Sequence, residues 1–207
     1  MTAITIRAAQ RTDTNLAVAI LQSSMGGMAD YLFAGWSQLS PQQALARLFQ
    51  SDRHRFSWQF AWVIEAADQP AGLLLSYPGR DLNRLQLALF QQLPALLGWS
   101  HTLSFLQRTL ALLTAIEARA DEYYISNIGV LPALQGHGIG AQLMAFAEEQ
   151  AQRAGLKKCS LAVDEHNTNA IRFYERLGYQ IVFSQRFAGK VAQYESGYHR
   201  MVKILSG

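Results

Sequence analysis

With a single cysteine, Cys159, no disulfide can form within these 207 residues, and nothing argues for an oxidising compartment. Cys159 lies in the apolar run Lys158-Cys159-Ser160-Leu161-Ala162-Val163, where a small core residue is expected rather than a reactive thiol. Charge is also scarce: 16% of residues are charged and the formal net charge is +3. No run of Lys and Arg gathers that charge into a stripe, which excludes the electrostatic footprint of a nucleic-acid binder. A mild positive balance suits an anionic ligand such as a nucleotide, but unrelated proteins share it. No apolar run is long enough to span a membrane, because residues 82–118 are broken by Arg84, Gln91, Gln92, Pro94, His101, Arg108 and Glu117. The first residues, Met1-Thr2-Ala3-Ile4-Thr5-Ile6-Arg7, lack the basic-then-apolar order of a signal peptide. No His, Cys or carboxylate cluster has metal-ligand spacing, so no metal is expected. The expectation is a soluble, cytoplasmic chain forming one domain over residues 1–207. What is abundant is apolar side chain: half of the residues are hydrophobic, enough for a sizeable core.

Local patterns give the elements. Thr5 to Ala8 reads as a strand, and Thr12 or Asp13 can cap a helix reaching about Met25, ended by Gly26-Gly27. Ser40-Pro41-Gln42-Gln43 combines a cap, a proline at the first helical position and a Gln three residues on, predicting a helix to about Gln50. Ser57 to Ala67 and Ala71 to Tyr77 read as a hairpin turned by Asp68-Gln69-Pro70. From Asp81 to Ala120, Leu and Phe recur at helical spacing, with Pro94 and Gly98 predicted to divide two helices. Strand and helix then alternate: Glu122 to Leu131, Ile139 to Ala154, Lys158 to Val163, Asn169 to Leu177. Tyr179 to Phe187 and Gln193 to Leu205 close the chain as a strand pair. This order predicts an α/β (α+β) sandwich.

Between a strand and an amphipathic helix lies Val130-Leu131-Pro132-Ala133-Leu134-Gln135-Gly136-His137-Gly138-Ile139-Gly140. Its glycines allow close backbone approach and positive φ, and the free amides at a helix start form an anion site. A pyrophosphate is the natural occupant of Gln135 to Gly140, although plain packing also produces glycine-rich helix starts. A Walker A loop is excluded, because Ala141 and Gln142 stand where Lys and Ser or Thr are needed. A dinucleotide fingerprint is excluded by the spacing of Gly136, Gly138 and Gly140.

A second motif follows: Val163-Asp164-Glu165-His166-Asn167, then Asn169-Ala170-Ile171-Arg172-Phe173-Tyr174-Glu175-Arg176-Leu177-Gly178-Tyr179. Together with Gln135 to Gly140 it resembles the two signature motifs of the GNAT superfamily of N-acetyltransferases, over roughly residues 120–187. The resemblance implies a mixed central sheet of about six to seven strands flanked by helices, with a helical insertion at about 81–120 between the third and fourth strands. It implies acetyl-CoA as co-substrate. The pantetheine arm would lie where the strand ending at Val130 splays from the strand ending at Val163, against Ile128, Gly129 and Val130. Amides at or near Val130 would face the thioester carbonyl. Those of Gln135, Gly136, His137, Gly138, Ile139 and Gly140 would cradle the pyrophosphate. Asn167, with Ala170 beside it, would reach the pantetheine arm, and Tyr174 would protonate the departing thiolate. A phenol and an alkyl thiol have pKa values within about two units, so that transfer is feasible.

The general base departs from the family's pattern, since Tyr124 and Ala162 hold the positions where members carry a glutamate. Glu122 shares the face of Tyr124 and is the nearest substitute, with a solvated strand-start carboxylate as its plain alternative. Asp121 and His199 are poorer candidates. On the acceptor side, Asp30 could attract a cationic amine within Met25 to Trp36, where glycines beside large apolar groups suit a pocket wall. Tyr31 and Tyr124 complete that set. The Leu-rich segment leaves three roles open: core filling, a cover over the acceptor site, or an apolar face buried in a homodimer. The function implied is acetyl transfer to a primary amine, of a small molecule or a peptide, by direct attack through a tetrahedral intermediate. A non-catalytic CoA-binding regulatory domain and a transferase of longer acyl groups are the alternatives.

Overall fold

The structure is a computed structural model and describes residues 4–33, 39–110, 112 and 115–206. Of the expected acceptor segment, Ala34, Gly35 and Trp36 lie outside the described residues, as do positions 111, 113 and 114 of the Leu-rich stretch.

Seven strands form one sheet in the order β1-β2-β3-β4-β5-β7-β6. They are β1 (Ile4–Ala8), β2 (Ala61–Ala66), β3 (Gln69–Pro78), β4 (Tyr123–Val130), β5 (Lys158–Asp164), β6 (Gln180–Arg186) and β7 (Gly197–Ile204). All neighbours are antiparallel except β4 and β5. The helices are α1 (Thr14–Met25), α2 (Gly27–Phe33), α3 (Pro41–Gln50), α4 (Leu82–Leu97), α5 (Trp99–Leu110), α6 (Ile139–Arg153) and α7 (Thr168–Arg176). The mixed sheet and the helical insertion between β3 and β4 agree with expectation.

Strand periodicity explains the two-sided core. On β3, Leu73 and Leu75 pack with α1, α3 and α4, while Leu74 packs with α6. Val63 and Ile64 divide the same way on β2, as alternating side chains must. The start of α3 forms as its sequence requires: Ser40 Oγ accepts from the Gln43 amide (3.1 Å) and Gln43 Oε1 from the Ser40 amide (2.9 Å).

Several boundaries move. Ala66 pairs with Gln69, so the β2–β3 turn is the two residues Ala67-Asp68, both at positive φ (52° and 57°). That backbone matches the twist of a hairpin, and Pro70 lies in β3 opposite Glu65, with the following Ala71 as the bulged residue. Pro94 does not divide the insertion; it sits inside α4, and Gly98 at φ 81° alone separates α4 from α5. β2 starts at Ala61, after a 3-10 turn over Trp58–Phe60, and β7 starts at Gly197, after another over Val191–Gln193. Gly26 ends α1, but α2 begins at once at Gly27. A Cβ on Gly27 would stand 1.9 Å from the Tyr194 carbonyl oxygen, so α2 is pressed against the β6–β7 connection.

Among the described residues no helix is long and apolar enough to cross a membrane.

Candidate active site

Two features of β4 open a cleft in the sheet. Leu75 pairs with Asn127 but Ser76 with Ile125, which leaves Ser126 as a bulge. A bulge bends its strand and strengthens the local twist. The bulge is tied down: Ser126 Oγ donates to Asn127 Oδ1 (3.1 Å), and Asn127 Nδ2 donates to Ser24 Oγ on α1 (2.9 Å). Accordingly β4 pairs with β5 only over Tyr123–Ile125, against Cys159–Leu161. Beyond that point the two strands part.

The ladder fixes which backbone groups face the gap. The Leu131 amide donates to the Ala71 carbonyl of β3 (2.8 Å), so alternation turns Ile128 and Val130 away from β3 and toward the opening. Gln135 Nε2 donates to the Val130 carbonyl there (3.1 Å). Gly129 has a packing reason: a Cβ would meet Ile20 of α1 at 2.9 Å.

Below the gap, Gln135 to Gly138 is exposed and leads into α6. Gly136 and Gly138 hold φ of 80° and 79°, with open space where a Cβ would stand. Gly138 is the N-cap of α6 and no side chain caps it, so the first-turn amides of a 15-residue helix remain available to an anion. His137 is exposed and its Nδ1 is 2.9 Å from the Gln135 carbonyl, a bond that folds the ring back on its own loop.

Beside β5, Asn167 Oδ1 accepts from the Ala170 amide (3.1 Å) and caps α7. The Tyr174 ring lies tilted against those of Phe173 (5.3 Å) and Tyr179 (6.2 Å), and burial pushes its phenol up to about 12. It therefore stays protonated at neutral pH.

These groups line one cavity of about 570 Å³. Tyr124, Ile128, Gly129, Val130, Gln135, Asn167, Ala170 and Tyr174 all border it. Gly136, His137 and Gly138 follow Gln135 on the exposed loop, while Ile139, buried in the core, and Gly140 open α6. Five sequence candidates fall elsewhere. Glu122 is not a solvated carboxylate: it is 2% exposed, both its oxygens accept from Arg200 Nη2, and it does not border the cavity. A strand-start position suggested water, but its partner arrives from β7, 78 residues away. Asp30 is exposed on α2 and Tyr31 is buried, its hydroxyl donating to the Arg108 carbonyl (3.3 Å) and its ring 5.6 Å from that of Tyr194. Neither borders the cavity. Asp121 pairs with Lys158 (2.7 Å), and His199 Nδ1 contacts Ser184 Oγ (2.8 Å).

The opposite end of the cavity carries residues that sequence reasoning missed. Glu117 accepts from Arg55 Nη1 (3.0 Å) and from the Tyr124 hydroxyl (2.8 Å). Burial works against its charge, but the Arg55 guanidinium outweighs it and holds the carboxyl below the usual range. Tyr124 is pushed well above an ordinary phenol, first by burial and then by the Glu117 charge. Glu195, just before β7, also borders the cavity. Burial, reinforced by the Asp164 charge and partly offset by a hydrogen bond from the Met28 backbone, raises its carboxyl to about 7. No sequence signal links positions 55, 117, 124 and 195. The nearest was Glu117 as a lone acid closing an apolar stretch.

Among the described residues no group of His, Cys, Asp or Glu could hold a metal ion. Burial raises the Cys159 thiol to about 12, as befits a core residue.

Over the whole chain, the fold is similar to that of an N-acetyltransferase from Staphylococcus aureus Mu50 (TM-score 0.73, 22% identity, 96% of this chain and 99% of that one). It is also similar to the ribosomal-protein-S18-alanine N-acetyltransferase from Escherichia coli (TM-score 0.56, 17% identity, 99% and 96%). In sequence, 56 residues are 43% identical to an aminoalkylphosphonate N-acetyltransferase from Salmonella typhimurium, covering 27% of this chain and 36% of that protein. A further 45% identity over 58 residues links it to a mycothiol acetyltransferase from Streptosporangium roseum, covering 28% and 17%. The chain thus matches about a third or less of the length of these two relatives. The family model "Acetyltransferase (GNAT) family" matches residues 28–179. With the cleft between β4 and β5, the bulge at Ser126 and the open start of α6, this match assigns the chain to the acetyltransferase (GNAT) family of acyltransferase enzymes.

Proposed function

We propose that the protein is an N-acetyltransferase that moves an acetyl group from acetyl-CoA to a primary amine by direct attack. The observation that carries this reading is the parting of β4 from β5 beside the uncapped start of α6, with Tyr174 bordering the same cavity. An extended pantetheine arm needs a free strand edge, and the backbone of Ile128 and Val130 offers one. A pyrophosphate needs free amides without side chains in the way; the start of α6 is uncapped, and Gly136 and Gly138 leave open space before it. Asn167 spends its carbonyl oxygen on capping α7, which leaves its amide nitrogen as the donor for the arm.

Acetyl-CoA supplies the activated thioester. Backbone donors at the free edge of β4 stabilise the negative charge that develops on the carbonyl oxygen during attack. Tyr174 donates to the departing sulfur. At about 12 its phenol is more basic than an exposed thiol, but the dry surroundings that raise it raise a buried thiolate too, which narrows the gap. The acceptor amine enters from the end bordered by Glu117 and the insertion.

Thiol release from acetyl-CoA, measured against a panel of small amines, polyamines and peptides, tests the proposal. At least one acceptor should turn over. Tight CoA binding with no turnover of any amine would leave a binding domain instead.

A further inference from the structure

Attack on a thioester requires a neutral amine, so some group must take a proton from the ammonium form. Resting on the N-acetyltransferase reading above, we propose that Glu195 is the general base, its carboxylate accepting that proton directly from the acceptor nitrogen.

Three carboxylates border the cavity: Asp164, Glu117 and Glu195. Glu117 is a poor base, because Arg55 and Tyr124 already donate to it and hold it ionised. Asp164 uses Oδ1 to accept from the His166 amide (2.8 Å) and shapes the turn into α7. Glu195 accepts a backbone hydrogen bond from Met28 at the start of α2.

Its position suits the task. Asp164 pairs with Tyr198 and the Glu165 amide donates to the Gly197 carbonyl (3.2 Å), so residue 195 stands just beyond the end of β5. That is the end from which Asn167 leads into the helix bearing Tyr174, and toward which β4 and β5 diverge. The backbone there is fixed. The Glu195 amide donates to the Val191 carbonyl (3.0 Å), and the Gly27 backbone presses on the Tyr194 carbonyl. The other charged and titratable groups bordering the cavity are Arg55, Glu117, Tyr124, Asp164 from β5, Tyr174 from α7 and Tyr198 from β7. Among them Asp164 is the charge that acts on Glu195. The carboxyl at about 7 is matched to proton transfer near neutrality, whereas an ordinary glutamate would be a weaker base by over two units.

The protons balance. Glu195 takes one from the ammonium and later releases it to solvent. The free amine forms the N–C bond, the C–S bond breaks, and Tyr174 protonates the thiolate. The second N–H proton, lost as the amide forms, restores the Tyr174 phenol directly or through water.

The test uses the full chain, acetyl-CoA and the best amine from the panel, with kcat/KM followed from pH 5.5 to 9.5. Wild type should show an acidic limb near 7, besides the limb set by the amine itself. Glu195→Gln should lose about a hundredfold in kcat, lose the limb near 7, and keep its acetyl-CoA affinity within about twofold. Asp164→Asn should shift that limb to lower pH, because one negative charge fewer eases ionisation of Glu195. A second readout checks the raised carboxyl independently of catalysis. A raised folded pKa means that stability is lost as pH climbs from the ordinary glutamate value through about 7. Glu195→Gln should therefore raise Tm at pH 8 and leave it nearly unchanged at pH 5. Wild-type-like rates in Glu195→Gln, or a limb that persists there, would overturn the base. Should Glu195→Gln misfold, an unmoved limb in Asp164→Asn overturns it. Absence of turnover in wild type overturns the transferase reading itself, and the base with it.

Discussion

The two ends of the cavity are built differently. The end proposed for the cofactor is local: β4, the loop Gln135 to Gly138, α6, β5 and α7 lie within residues 123–176. The other end collects Arg55, Glu117 and Tyr124 from separate stretches, closed by the insertion. Backbone dominates the first end and side chains the second. Backbone amides and free strand edges serve any CoA thioester, whereas side-chain charges must suit one acceptor. The comparison teaches that the shared half can be written as motifs, and the selective half must be assembled by folding.

Perturbing each half separately should break or sharpen this contrast. The largest effect belongs to neither half. Replacing Glu122 by Gln leaves Arg200 buried without its counter-charge and should cost about 3–5 kcal/mol in urea denaturation. The acetyl-CoA affinity of the folded fraction should hold, and a loss of kcat without loss of stability would return Glu122 to the chemistry. Next comes Tyr174→Phe, which should lower kcat by about a hundredfold with acetyl-CoA affinity unchanged. An unaltered rate, where chemistry limits, removes it as the acid.

Smaller effects should divide by end. Gly138→Val forces a β-branched residue to φ 79° and should weaken acetyl-CoA about tenfold, from roughly 1–2 kcal/mol of backbone strain, with acceptor KM unchanged. Glu117→Gln should do the reverse, raising acceptor KM by roughly tenfold while leaving acetyl-CoA affinity alone. If each variant moved both constants together, the two ends would be one coupled site. His137→Ala should be the mildest, less than about twofold on acetyl-CoA affinity, since its ring is engaged with its own loop.

Element order was readable because its signals are short-range. A capping box at Ser40 and Gln43, Gly98 after an apolar helix and Leu73 alternating with Leu74 each act within a few residues. The misreadings share a cause. Pro94 looked like a breaker, but the burial of Leu89, Leu93 and Leu97 against the core holds α4 together across it and offsets the bond it cannot donate to the preceding turn. Glu122 looked solvated because Arg200 lies 78 residues downstream.

The sequence by itself determined the order of strands and helices, the glycine-rich start of α6 and the Asn167–Tyr174 segment, since backbone propensity and side-chain period are local properties. Tertiary structure alone decided that β4 bulges at Ser126 and parts from β5, that Glu122 is sealed against Arg200, and that Glu117 and Glu195 border one cavity. It also decided their ionisation. The Glu117 carboxyl is held down by Arg55, and the Glu195 carboxyl is raised to about 7 by burial and by Asp164. Burial and charge–charge interaction depend on distance through space, which a linear sequence does not carry.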